Sequence, residues 1–290
     1  MSLLLVVLSG TGGGVAWAQT NAEPLGKPFS PPVVLEALKA AYPGLLSNIA
    51  STNGDWWFTF RDQEFCWANG RLLLRPLSKK WISYAPQPFY EYPATAPEVA
   101  LWTREKELAV EALLAERKKA NVLRNAAFFD TLWRIHSLNQ ADDRMVHLQL
   151  FGHQVTMHQD VVASLKRIET VLKEQASTNE ALATFLKNLS RLEGFNWRNI
   201  AGTESRSNHA YGTAIDLIPN SFGGRAVYWL WAASELKHWY KWTWQQRWLP
   251  PDAVVTAFED EGWVWGGKWM LFDTIHFEYR PEILILSGLR

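Results

Sequence analysis

Ser207-Asn208-His209-Ala210-Tyr211-Gly212-Thr213-Ala214-Ile215-Asp216 is the stretch on which the reading of this sequence turns. It offers an imidazole and a carboxylate, both suited to zinc, with small residues between them that let the backbone close around an ion. Thr213 to Ile218 has strand character, so Asp216 is expected to project from a rigid element. Further on comes Asp273-Thr274-Ile275-His276-Phe277-Glu278. Two histidines and an aspartate make three protein ligands and leave a fourth tetrahedral position for water. An open fourth position marks a catalytic zinc site, whereas structural sites are closed. A lone histidine carries no such weight, and His136, His147, His153, His158 and His238 are read as surface or core residues.

Two more blocks lie in the same half of the chain. Phe195-Asn196-Trp197-Arg198-Asn199-Ile200-Ala201-Gly202-Thr203 leads into the first ligand segment, and Gly262-Trp263-Val264-Trp265-Gly266-Gly267-Lys268-Trp269 precedes the second. The ordered pattern S-x-H-x-x-G-x-A-x-D, G-W-x-W-G-G-x-W, D-x-x-H-F-E resembles the zinc D-alanyl-D-alanine carboxypeptidase family. That family also includes peptidases that cut the L-alanyl-D-glutamate bond of peptidoglycan stems. The resemblance covers roughly residues 125–285.

It implies an α+β fold with a central antiparallel sheet flanked by helices. It also implies a zinc ion held by His209, Asp216 and His276, with Asp273 as the catalytic base. Ser207 matches a residue that shapes the site near the metal. Arg198 matches an arginine that binds the substrate carboxylate; Arg206, three residues from His209, competes for that role. The implied substrate is a peptidoglycan stem peptide, with the bond left open between L-alanyl-D-glutamate and terminal D-alanyl-D-alanine. The same scaffold resembles the zinc-containing signalling domain of Hedgehog proteins. A non-catalytic, zinc-containing wall-binding module is therefore the alternative.

Outward from this half, residues 125–290 read as the catalytic domain and residues 99–124 as a helical connector rich in Glu, Lys, Ala and Leu. Pro86 to Pro97, with four prolines, marks a boundary. Residues 19–98 read as a small α+β accessory region of open role. Within it Pro31 to Leu46 has helical periodicity, and Ile49 to Ser83 has short β-like runs. Trp56 to Phe60 and Arg71 to Leu74 are strands, with Asn69-Gly70 a turn before the second. In the other half, Val146 to Val155 alternates as a hairpin turning at Gly152. Val162, Leu165, Ile168, Val171 and Leu172 fall on one stripe of a helix over 161–175.

Residues 1–18 read as an export signal: Leu3 to Leu8 is apolar, and Ala16-Trp17-Ala18 has the small-x-small cleavage pattern. The run is too short to span a bilayer. A periplasmic or secreted location follows as an expectation. Lys+Arg and Asp+Glu are 29 each, so no global field draws in nucleic acid. Cys66 is the only cysteine in the sequence, which excludes an intrachain disulfide and a thiolate metal cluster. The 17 tryptophans crowd Tyr228 to Trp248, where Trp231, Trp239 and Trp242 read as one helix face packed near the site. A glycan-facing aromatic patch is the competing reading.

Overall fold

The computed structural model describes residues 29–95, 103–119, 123–235 and 238–290. The expected export signal, and the linker before Phe29, lie outside the described residues.

α1 (Pro31–Ala41) starts on two prolines, whose fixed φ suits a first helical turn and whose missing N–H costs nothing there. It buries Val34, Leu35 and Leu38. An antiparallel meander follows, with β1 (Leu46–Thr52), β2 (Asp55–Phe60), β3 (Gln63–Ala68) and β4 (Arg71–Leu74) paired in chain order. Two of its three turns fall at Asn53-Gly54 and Asn69-Gly70, all at positive φ, the geometry that tight hairpins demand. The β-like character expected as far as Ser83 stops at Leu74. Residues Arg75–Ser83 form a 3-10 segment instead, because Pro76 cannot donate to a ladder.

α2 (Arg104–Lys119), α3 (Ala127–Trp133) and α4 (Leu138–Asp142) lead to a hairpin of β5 (Met145–Leu150) and β6 (His153–His158), which turns at Gly152 as expected. α5 (Val162–Ala176) buries Leu165, Ile168 and Leu172, while Val171 of the same expected stripe stays 40% exposed. Then come α6 (Glu180–Lys187), β7 (Leu189–Glu193), β8 (Ala214–Pro219), α7 (Trp229–Glu235), α8 (Asp252–Asp260), β9 (Trp263–Trp265), β10 (His276–Tyr279) and α9 (Pro281–Leu286). A second four-stranded sheet has the order β7-β8-β10-β9, and all its pairings are antiparallel. The chain is thus α+β, with antiparallel sheets and helices around them. Among the described residues no helix is long and apolar enough to cross a membrane.

One continuous apolar core joins the two sheets. Phe128 of α3 reaches into the first sheet, with ring centroids 4.6 Å from Phe60 and 5.7 Å from Phe65. α1 packs on α9. The tryptophan segment departs from the single helix face expected of it. Trp231 lies in α7 and is 58% exposed, whereas Trp239 opens a separate 3-10 turn and is 2% exposed. Non-helical backbone at His238 (φ −117, ψ 42) interrupts any shared helix, and Trp242 is extended. Trp229, Trp239 and Trp248 are buried and the half-buried Trp242 and Trp244 pack against the core, so most of these tryptophans are core packing.

Candidate metal centre

β8 and β10 are neighbours, and their register sets Asp216 opposite His276. His209 comes from a single 3-10 turn, Asn208–Tyr211, that runs directly into β8. Ser207 caps this turn, its Oγ accepting from the His209 N–H at 3.3 Å. Gly212 ends it at φ 65, a left-handed conformation that favours glycine. A Cβ at Gly212 would sit 2.6 Å from Met145 Sδ and 2.7 Å from the His158 backbone nitrogen, so the close approach also excludes a side chain.

Three donor atoms converge as a result. His209 Nε2 is 3.2 Å from His276 Nδ1. Asp216 Oδ1 is 2.9 Å from His276 Nδ1 and 3.3 Å from His209 Nε2. Atoms that share a tetrahedral zinc at about 2.0–2.1 Å stand about 3.3 Å apart, so the spacing fits that ion. The hydrogen bonds on the far sides of the rings fit it too. His209 Nδ1 faces the Gly194 carbonyl at 2.7 Å, and His276 Nε2 faces Glu278 Oε2 at 3.2 Å. Both partners only accept, so each distal nitrogen carries the proton and both facing nitrogens present lone pairs. Two lone pairs and a carboxylate aimed at one point need a cation between them. Among the described residues His209, Asp216 and His276 form a group able to hold a metal ion.

The electrostatics agree. Burial works against charge on Asp216, but His209 and His276 outweigh it and hold the carboxyl well below its usual range. Burial likewise disfavours charge on His276, yet the hydrogen bonds to Asp216 and Glu278 push its imidazole up to about 10. Positive charge is strongly favoured at this point. Burial, then the Asp216 charge, pushes Asp273 up to about 7, with His276 and Arg198 pulling the other way. Asp273 Oδ1 is buried, with no hydrogen-bond partner among the described residues. A carboxyl oxygen so placed is poised for a proton that the cleft itself supplies.

A cleft of about 650 Å³ is lined by Arg198, Ser207, His209, Asp216, Asp273 and His276, among others. Arg198 and His147 also line a neighbouring lobe that reaches His209 and Asp216. Of the residues singled out in the sequence, Arg206 is the one not brought here. Its guanidinium bonds Asp130 at 2.5 Å, lies 4.5 Å over the Trp197 ring, and lines neither space. Among the other histidines, His147 bonds Thr156, His238 bonds Tyr240 and His158 is buried; none joins the ligand cluster. Trp231 stands exposed on the cleft wall beside Tyr228.

Two contributors were given no role in the sequence reading. Glu278 lies two residues from His276, and on a strand that spacing puts both side chains on one face. The signal was therefore present, but it needed the strand to be interpreted. The Gly194 carbonyl had no side chain to announce it.

Residues 201–279 match the family model described as D-alanyl-D-alanine carboxypeptidase, a span holding all three converging residues, Asp273 and Glu278. The match supports a peptidase of the peptidoglycan-acting kind. Residues 34–89 match a different family model, a domain of unknown function. No curated protein and no solved structure matches the chain.

Proposed function

We propose that this protein is an exported, zinc-dependent peptidase that hydrolyses peptidoglycan stem peptides, at the L-alanyl-D-glutamate bond or the terminal D-alanyl-D-alanine bond. One observation carries the reading: three zinc-type donor atoms at 2.9–3.3 Å converge in a cleft that also holds Asp273 with an unpartnered buried oxygen. The family match over residues 201–279 supports it. The non-catalytic alternative accounts for the ligand set but gives Asp273 no task.

His209, Asp216 and His276 would hold the ion. A zinc ion there supplies a Lewis acid that acidifies water and polarises a carbonyl. The chain's own residues do the rest. Asp273 takes a proton from the attacking water at its carboxylate and delivers it to the departing amine. Arg198, exposed at the cleft, is placed to bind a substrate carboxylate and to steady the charge that grows on the scissile carbonyl oxygen. Ser207 holds the His209 turn in shape and contributes to the cleft wall.

The test is incubation of residues 19–290 with zinc and defined stem tetra- and pentapeptides, with products identified by mass spectrometry. Loss of D-Ala identifies a carboxypeptidase, and a cut after L-Ala an endopeptidase. Intact peptides in the presence of bound zinc would overturn the peptidase reading.

A further inference from the structure

Behind His276 a line of buried polar contacts runs out of the peptidase half and into the N-terminal region. Glu278, which holds the His276 Nε2–H, has its other oxygen 3.6 Å from Arg280 Nη1. Arg280 donates through Nε to Glu282, and Glu282 accepts from the Tyr42 hydroxyl of α1 at 2.8 Å. The remaining arm of Arg280 donates to the Pro88 carbonyl at 3.1 Å. A second contact runs in parallel. The Trp269 ring lies against His276, with centroids 5.5 Å apart, and its indole N–H donates to the Tyr90 hydroxyl at 2.8 Å.

These groups have no solvent to fall back on. Arg280 is 3% exposed, Glu282 0%, Glu278 7%, and Tyr42 and Tyr90 7% and 6%. A carboxylate so buried must take its donors from the protein. Without the Tyr42 hydroxyl, Glu282 has Arg280 as its remaining side-chain donor, which draws the guanidinium away from Glu278. Glu278 then holds the imidazole less firmly. Outer partners of this kind fix the ring orientation and basicity of a metal-binding histidine.

We propose that the N-terminal region, through Tyr42, Pro88 and Tyr90, is a positioning element of the metal centre that sets His276 for zinc. The inference rests on the zinc-site reading above, and assigns a role to the region that matches a domain of unknown function. Tyr42, Glu282 and Arg280 act on His276 through Glu278, and none of them is in the ligand cluster.

A double-mutant cycle on the full chain tests it. Zinc affinity is measured by competition with a chromophoric chelator for wild type, Tyr42→Phe, Glu278→Gln and the double variant, with melting of the metal-free proteins alongside. Glu278→Gln is expected to weaken zinc about 10–100-fold. Tyr42→Phe should weaken it by up to about tenfold, and that loss should vanish in the Glu278→Gln background. A merely structural Tyr42 would lower the melting temperature yet leave its effects additive. Tyr90→Phe acts through Trp269, so its loss of affinity should persist beside Glu278→Gln; it serves as the test should Tyr42→Phe not fold. Unchanged zinc affinity in Tyr42→Phe and Tyr90→Phe, or strict additivity of Tyr42→Phe with Glu278→Gln, overturns the inference. A wild-type chain that takes up no zinc overturns the metal centre itself, a separate and recognisable failure.

Discussion

Asp273 and Glu278 flank His276 and differ in what surrounds them. Glu278 is bonded by His276 and by Asn208 at 2.7 Å, whereas Asp273 keeps an oxygen unpartnered. Replacing Asp273 with Asn should leave zinc content intact and lower kcat about 10²–10⁴-fold; retained turnover would remove it from the proton-transfer role. His158 supplies a pH-dependent term. Its Nε2–H donates to the Trp133 carbonyl at 2.9 Å and its Nδ1 accepts from the Asp160 N–H at 3.1 Å, an arrangement that only the neutral ring satisfies. Burial above all, with help from Arg134 and Arg144, holds its pKa below the usual value, against the pull of Trp133 and Asp160. The unfolded chain therefore takes up this proton first as pH falls. Stability from His158 is fully present above about 6.5 and is lost as pH drops through the folded value. Denaturant melts at pH 7.5 and 5.5 should show that loss, and His158→Gln should flatten it. His209, Asp216 and His276 could be singled out in the sequence because their ordered motifs resemble a peptidase family, their spacing alone being only suggestive, and the structure brings them together. Tyr42 was not, because its partner Glu282 is 240 residues away.

At the level of elements, the candidate metal centre is a register problem. Asp216 and His276 meet because β8 and β10 pair with those residues opposed, and a slip of either strand by one residue would turn its own side chain to the other face. Gly212 controls the entry to β8. Gly212→Ala forces a left-handed alanine into a space already filled by Met145 and His158. It should cost about 1–3 kcal/mol of stability for the backbone alone and weaken zinc binding; a variant that melts with wild type would show that the turn can shift without harm. The strands and hairpins were readable from alternation and Asn-Gly turns, since these are local signals. The 3-10 segment Arg75–Ser83 and the broken tryptophan stretch were not, because helical spacing of apolar residues does not report a backbone interruption such as that at His238.

Across the whole molecule, Phe128 marks where α3 of the C-terminal half packs into the first sheet, ringed by Phe58, Phe60, Phe65 and Phe129. It is fully buried, and Phe128→Ala should cost about 3–5 kcal/mol, read as a lowered denaturation midpoint with zinc absent. A cost near zero would mean that the two halves are stabilised independently. The proline-rich stretch after Ala85 reads as a boundary in sequence, yet Tyr90 and Tyr92 within it are buried against Trp269 and Trp265. Composition reports that such a stretch is neither helix nor strand; it does not report what lies against it. The pairing of α1 with α9 has a further consequence, for timing. By the time a ribosome has added His276 it has made all three candidate metal ligands, but not Arg280, Glu282 or the helix that closes on α1. Contacts this distant in sequence form late and slowly. On the proposed reading, a nascent chain therefore carries the three candidate ligands before the segment that braces them, and metal uptake should wait until residues 281–286 have folded.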